Sequence, residues 1–329
     1  MAPLRIGVLG AARIAPAALI KPARRVDEIE VAAVAARDRT KAEGFARKHG
    51  IPTVHDSYEA MLADPSIDAI YNPLPNGLHG RWTIAALEAG KHVLCEKPFT
   101  ANAEEAEAVA AVGARTGLTL MEAFHYRYHP LISRLLEILA SGEIGTVEHI
   151  ETFMCFPLPQ RGDIRWKLSL AGGCTMDGGC YAIHMARTLA GAEPEVTTAS
   201  ALTRTPGVDR RMDAELSFDD GRTGHITASM LSSTVIKIAA RVRGSDGELR
   251  VFNPVAPQLF NRIFVRSHGS KRVEHATREP TYLFQLRAFA GAVLRGEPFP
   301  TDATDAIANM RVIDACYRAA GLEPRQPSA

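Results

Sequence analysis

Three stretches of this chain hold residue types that could move a proton or hold a phosphate. The first is Glu96-Lys97-Pro98, directly after the apolar run His92-Val93-Leu94-Cys95. A charged pair at the carboxyl end of a buried strand stands where open α/β sheets place their ligands. Desolvation at such a strand end lowers an ammonium pKa and suits a lysine to acid–base work. Pro98 fixes the backbone and disfavours helix at Lys97. The alternative is a plain strand end with a solvated lysine and a turn proline.

The second stretch runs from Gly172 to His184 and reads GGCTMDGGCYAIH. A helix that starts near Asp177 puts Asp177, Tyr181 and His184 on one face, because they are spaced by four and then three residues. A carboxylate and a phenol would then stand side by side. Asp177 as a helix cap and His184 as a packed helix residue are the structural alternatives. Cys174, Cys180 and His184 match no common zinc spacing, so no metal is expected.

The third stretch is amino-terminal. Leu4–Gly10 reads as a strand entering a glycine turn, followed by Ala11, Ala12, Arg13, Ile14 and Ala15. Gly10, Ala12 and Ala15 form a G-x-A-x-x-A version of the dinucleotide fingerprint, whose small residues let a pyrophosphate approach the backbone. A second strand, Glu30–Ala36, follows at about the distance where the ribose-reading residue is expected. There the chain has Arg37, Asp38 and Arg39, with Lys41 opening the next helix. The Arg37 guanidinium suits a 2′-phosphate, with Lys41 adding a screened attraction. Asp38 could instead take ribose hydroxyls, so NADP(H) is the expected cofactor and NAD(H) stays open. The loop from Pro73 to His79 should cross the top of the sheet, with Pro73, Asn76 and His79 as cofactor contacts; Asn76 as a helix cap is the alternative.

The elements that position these residues follow from periodicity. Helical signals at Thr40–His49, Ser57–Leu62, Leu78–Ala89 and Asn102–Thr116 alternate with strands at Asp68–Asn72, Lys91–Cys95 and Leu118–Glu122. That alternation predicts an α/β domain with a parallel, doubly wound Rossmann sheet over residues 1–123. Residues 124–329 should form a second, α+β domain. A helix is predicted over Leu131–Ser141, a strand over Gly145–Cys155, and a loop with a short helix over Asp163–Leu170. From Val196 to Phe252, strands with turns at Pro206-Gly207, Asp219-Asp220-Gly221 and Ser245-Asp246-Gly247 predict a large, mostly antiparallel open sheet. Thr281–Arg295 and Asp302–Ala320 read as amphipathic helices, the second capped by Thr301 or Asp302. Tyr282, Gln285 and Arg287 could reach the site. The tail from Glu323 to Ala329 is expected to be disordered.

The length of 329 residues fits two domains. The 38 Lys and Arg balance 37 Asp and Glu, which gives no electrostatic case for nucleic acid or a membrane surface. No apolar run spans a bilayer, and a first strand at Leu4 leaves no room for a signal peptide. Five cysteines without a C-x-x-C pair point to a reducing compartment, the cytoplasm.

The turn GVLGAARIA, the block AGKHVLCEKPFT and the block GGCTMDGGCYAIH, in that order, resemble the Gfo/Idh/MocA oxidoreductase family. The Tyr in the third block resembles the branch of glucose–fructose oxidoreductase, dimeric dihydrodiol dehydrogenase and D-xylose dehydrogenase, where inositol dehydrogenases carry His. The resemblance implies a catalytic Lys97 with a cis Lys97–Pro98 peptide, a nearby cofactor contact at Glu96, and Tyr181 as the second catalytic residue. Asp177 would orient or bind substrate. Phe124, Tyr126 and Arg127 fall in the family's crossing segment as candidate substrate contacts, with domain packing as the alternative. Phe153, Trp166 and His184 complete the candidate substrate pocket; with Phe156 they would also suit an apolar diol. The implied activity is NADP-dependent hydride transfer at a secondary hydroxyl of a sugar or cyclic polyol, with either Lys97 or Tyr181 as the proximal acid/base. The sheet's second face would be covered by another subunit, making a dimer or larger homo-oligomer. A catalytically silent dinucleotide-binding regulator is the rival reading.

Overall fold

Two sheets organise the chain, and the computed structural model describes residues 2–329. The first sheet belongs to a unit made of residues 2–127 with Tyr282–Ile307 and Ala329; the second belongs to residues 128–281 with Ala308–Ser328. A contiguous division at residue 123 misses this return of the chain to the first unit.

In the first unit, β1 (Leu4–Leu9) leads through a wide turn at Pro16–Ile20 into α1 (Lys21–Ala23) and β2 (Ile29–Ala35). Then come α2 (Arg39–His49), β3 (Thr53–His55), α3 (Tyr58–Leu62), β4 (Ala69–Asn72), α4 (His79–Glu88), β5 (His92–Cys95), α5 (Ala103–Thr116) and β6 (Leu120–Glu122). The strands lie in the order β3-β2-β1-β4-β5-β6 and every pair is parallel. Asp38, Ser57 and Asn102 cap α2, α3 and α5 by accepting from backbone N–H groups inside the first turn. The apolar runs of β1, β4 and β5 are buried on both faces, as parallel strands covered by helices require. Because β1 pairs with both β2 and β4, the strand order reverses there, which creates the crevice where such sheets bind ligands. Short β3, with no clear alternation, is the strand that sequence pattern leaves unplaced.

In the second unit, α6 (Pro130–Ala140) precedes β7 (Val147–Cys155), a wide turn at Thr175–Gly179 and α7 (Cys180–Ala190). Then follow β8 (Glu195–Thr205), β9 (Val208–Ser217), β10 (Thr223–Ser229), β11 (Lys237–Gly244), β12 (Gly247–Phe252), β13 (Arg262–Ser267) and β14 (Ser270–Glu274). The eight strands lie in the order β14-β13-β12-β11-β7-β10-β9-β8, with β7–β10 the one parallel pair. β13 and β14 extend the sheet beyond the predicted end at Phe252. α8 (Thr281–Arg295) and α9 (Ala303–Ala319) close the chain, with Asp302 accepting from the Thr304 and Asp305 N–H groups as the cap of α9.

Helix α7 covers one face of this sheet, where the Thr152 hydroxyl donates to the Ala182 carbonyl at 2.8 Å. The other face carries Phe153, Arg241, Arg250, Phe252 and Phe264 in register across β7, β11, β12 and β13. Phe252 on that face is 43% exposed.

The tail is ordered, which corrects the expectation of disorder. Arg325 is buried and donates to Asp209 and to the Gly172 carbonyl, both at 2.7 Å, and Ser328 donates to the Ser169 carbonyl. A proline-rich composition hid one cation with a buried partner.

Candidate active site

One set of candidate residues lies at the carboxyl edge of the parallel sheet, in the first unit. Asn72 pairs with Cys95 across β4 and β5, and Val8 pairs with Tyr71 across β1 and β4. The register therefore brings Gly10, the loop from Pro73 and Glu96-Lys97 to one edge. Gly10 has φ of +81°, and a Cβ there would come within 3.2 Å of Leu74 Cδ2. Only glycine fits this turn without strain. Ala11 and Ala12 are half-buried, Arg13 and Ile14 exposed, so small residues and backbone line the turn. This cradle fits the diphosphate of a dinucleotide.

Arg37 is exposed just after β2, while Asp38 is engaged as the cap of α2 and pairs with Lys41. Arg39 pairs with Glu43 and Asp56. The carboxylate that could compete for ribose hydroxyls is thus already bonded to the helix start, and Arg37 is the exposed cation nearest the end of β2.

Glu96 is buried and accepts from the Tyr71 hydroxyl at 2.6 Å. Lys97 is half-buried and its peptide to Pro98 is cis, as the resemblance implies. His79 acts differently from a ring presented to a ligand. It is 1% exposed, with Nδ1 2.7 Å from the Pro98 carbonyl and Nε2 2.7 Å from the Leu74 carbonyl. Burial pushes its pKa down to about 4, against the two carbonyls, which favour the charged ring. His79 therefore ties the 73–79 loop to the peptide beside Lys97. Asn76 lies within a short 3-10 turn and does not cap α4.

Phe124 and Tyr126 are fully buried and meet edge-on at 6.2 Å, and Arg127 is half-buried. Sequence reading missed how this segment is held. His125 stacks against Tyr282 at 4.1 Å, and the Thr301 hydroxyl donates to the Glu122 carbonyl at 2.7 Å. Burial, with Glu96 nearby, pushes the Tyr282 pKa well up, so this phenol stays neutral. Gln285 is fully buried.

The other set of candidate residues lies on the wide turn before α7, in the second unit. The Cys180 N–H reaches back to the Thr175 carbonyl, five residues earlier, which defines a π turn. Such turns recur at functional sites. Asp177 sits inside the turn rather than at its cap. Its carboxylate pairs with Arg165 Nε at 2.8 Å, and Arg165 also bonds Asp163. The Asp177 carboxylate holds the Arg165 pKa above its ordinary value. Tyr181 is 5% exposed and His184 is 1% exposed, both on α7. Trp166 packs with Cys174, Val208, Ala228 and Met230, with Phe156 and Leu158 beside them. The indole stacks on Arg204 at 4.4 Å.

Phe153 is a correction. Alternation along β7 turns Thr152 and Met154 toward α7, so Phe153 faces the opposite side, where Lys237 lies 3.2 Å from its ring centre. It cannot share a pocket wall with Trp166 and Phe156.

Comparisons with known proteins agree with this architecture. Residues 4–124 match the oxidoreductase family described by its NAD-binding Rossmann fold, GFO_IDH_MocA, and residues 132–250 match the GFO/IDH/MocA C-terminal domain. The chain is 43% identical over 323 residues to D-xylose 1-dehydrogenase (NADP(+)) 2 of Haloferax volcanii, covering 96% of this chain and 97% of that one. It is 31% identical over 226 residues to trans-1,2-dihydrobenzene-1,2-diol dehydrogenase of Xenopus tropicalis, covering 68% and 67%. Among solved structures, the 3-ketoreductase KijD10 of Actinomadura kijaniata with NADP and TDP-benzene superimposes with a TM-score of 0.90 at 31% identity, covering 96% and 98%. The chain belongs to the Gfo/Idh/MocA family of oxidoreductases.

Proposed function

We propose that this protein is an NADP-dependent oxidoreductase that transfers hydride between nicotinamide and a secondary alcohol or ketone of a sugar or cyclic polyol. The observation that carries the reading is Lys97 at the carboxyl edge of a parallel sheet whose first turn, at Gly10, is shaped for a diphosphate. The xylose-dehydrogenase relative, aligned over nearly its whole length, supports both the cofactor and the substrate class.

Bound, the dinucleotide supplies the ring that accepts or gives up the hydride. Gly10 and the alanines after it leave room for the diphosphate, and Arg37 offers two donors to a 2′-phosphate. Pro73 and Asn76 border the same edge, held there by His79. Lys97 and Tyr181 are the groups assigned to the hydroxyl proton. Asp177, oriented by Arg165, binds or aligns the substrate hydroxyls. The test is to follow nicotinamide absorbance with NADP⁺ and a panel of aldoses including D-xylose. Turnover that is faster with NADP⁺ than with NAD⁺ is the expected result.

Phe156 and Trp166, on the α7 side of the sheet, favour a second reading, an apolar diol as substrate. A trans-dihydrodiol in the same assay decides between them. Tight dinucleotide binding with no turnover on any of these compounds would point to a regulator instead.

The uncovered sheet face with Phe252 and Phe264 supports a homodimer or larger assembly through this sheet, and a monomer by light scattering at micromolar concentration would contradict it. All five cysteines are free and buried, which supports a cytoplasmic location. Thiols found oxidised in protein taken directly from cells would count against that. Among the described residues, no helix is long and apolar enough to cross a membrane.

A further inference from the structure

We propose that Asp209, Tyr317 and Arg325 form a positioning network for the Asp177–Tyr181 segment, with the carboxy-terminal tail as its clamp. The inference rests on the reading of Tyr181 as a group that handles the substrate proton.

Asp209 is fully buried at the start of β9, and four donors converge on its carboxylate. The Thr175 N–H and hydroxyl reach Oδ2 at 2.7 Å each; the Tyr317 hydroxyl reaches Oδ1 at 3.0 Å, and Arg325 Nη2 reaches it at 2.7 Å. Arg325 Nε donates to the Gly172 carbonyl at 2.7 Å, and its guanidinium lies 4.0 Å from the centre of the Tyr317 ring. Both ends of the short segment before the π turn are therefore held. Arg325 holds Gly172, and Asp209 holds Thr175, where the π turn begins.

The packing leaves this segment no slack. Gly173 has φ of +137°, and a Cβ there would lie 2.2 Å from Asp209 Oδ1 and 2.8 Å from Arg325 Nη2. Ala171, just before it, takes the left-handed region with φ of 55°, which an L residue holds only when its surroundings fix it. The Gly173 N–H donates to the Arg165 carbonyl at 2.8 Å and the Gly172 N–H to the Lys167 carbonyl at 3.0 Å. Arg165 in turn pairs with Asp177. One network thus sets the π turn that carries Asp177 into Tyr181 and also the strand of backbone that carries the partner of Asp177.

A buried ion pair is a weak source of net stability, because desolvation offsets the attraction and apolar replacements often do as well. What a fully satisfied network supplies is one defined geometry. A wide turn has poorer internal hydrogen bonding than an α-helix and gains most from being fixed from outside.

The experiment measures steady-state oxidation of D-xylose with NADP⁺, with single turnovers for slow variants, in Arg325→Met, Arg325→Lys and Tyr317→Phe. Each is made alone and with Tyr181→Phe. Arg325→Met should lower kcat by about 10-fold to 10²-fold through misplacement of the reacting groups. NADPH affinity should stay within about twofold, since the dinucleotide turn belongs to the other unit. Arg325→Lys keeps the charge and should restore part of the loss. In the Tyr181→Phe background, Arg325→Met should cost clearly less than alone, because one of the groups it positions is already gone and only the part acting through Asp177 is left. Should Arg325→Met not fold, Tyr317→Phe removes a single hydroxyl and decides the matter: a loss of about threefold, clearly smaller in the Tyr181→Phe background, is expected. Wild-type kcat in folded variants, or equal losses in both backgrounds, would overturn the network. A Tyr181→Phe protein with wild-type kcat would overturn the reading of Tyr181 itself, and the network with it.

Discussion

The candidate residues fall into two halves, one in each unit, that are built by opposite means. The half around Lys97 is regular: three neighbouring parallel strands end at one edge, and the candidate residues Gly10, Pro73 and Glu96 follow those strand ends directly. Its main tether, His79, spans 19 residues to Pro98. The half around Tyr181 is irregular. It sits on a π turn fixed by Asp209, Tyr317 and Arg325, with Thr175 and Asp209 34 residues apart and Asp209 and Arg325 116 apart. A dinucleotide has the same shape in every such enzyme, so a repeated local scaffold serves it. A phenol proposed to act on the substrate would have to be aimed individually, which a side-chain network can do.

Breaking this contrast calls for changes confined to one half. Tyr181→Phe should lower kcat by about 10²-fold or more with the fold intact, because the proposed role uses the hydroxyl for the proton while the ring that packs is kept. A large drop in melting temperature with little change in kcat would make Tyr181 structural.

The next effect belongs to His79 and separates scaffold from chemistry. Unfolded, its ring takes a proton below about pH 6.5; folded, only below about 4. The unfolded state therefore binds more protons between these values, so stability is full above pH 6.5 and falls as pH drops toward 4. The shift corresponds to about 3 kcal/mol. In His79→Asn this limb of the stability profile should flatten. An unchanged slope would remove His79 from the account of how the 73–79 loop is held.

The smallest effect concerns the cofactor. Arg37→Ala should erase a preference for NADP(H) over NAD(H) of about tenfold, roughly 1.4 kcal/mol and within reach of one charge-assisted contact. NAD(H) affinity should hardly move. Equal dissociation constants for both cofactors in the wild type would turn attention to Asp38, despite its place in the α2 cap.

What the sequence made legible follows the same division. Local signals placed β1, β4 and β5, the cap Asp302, and the helices α8 and α9, because periodicity and turn chemistry act over a few residues. A helix starting near Asp177 was expected from spacing, but α7 starts at Cys180 and Asp177 lies in a wide turn, which sequence does not show, since a π turn depends on what grips it from outside. The return of Tyr282–Ile307 to the first unit left no local mark. Neither did Arg325, read as part of a loose tail until its partner Asp209 is known. The face chosen by Phe153 was legible in principle: strict alternation from Thr152 sets it, once the side covered by α7 is fixed. β13 and β14 also had a signal, the His268-Gly269 turn between alternating runs, where both residues take positive φ.

The most direct test of the central claim is Lys97→Met, assayed for hydride transfer in a single turnover with NADP⁺ and a sugar that the wild type oxidises. The account predicts a loss of about 10²–10⁴-fold in rate with NADPH affinity unchanged within about twofold. A variant that keeps more than about a tenth of the wild-type rate would contradict it, because the strand-end lysine would then be part of the scaffold and not of the chemistry.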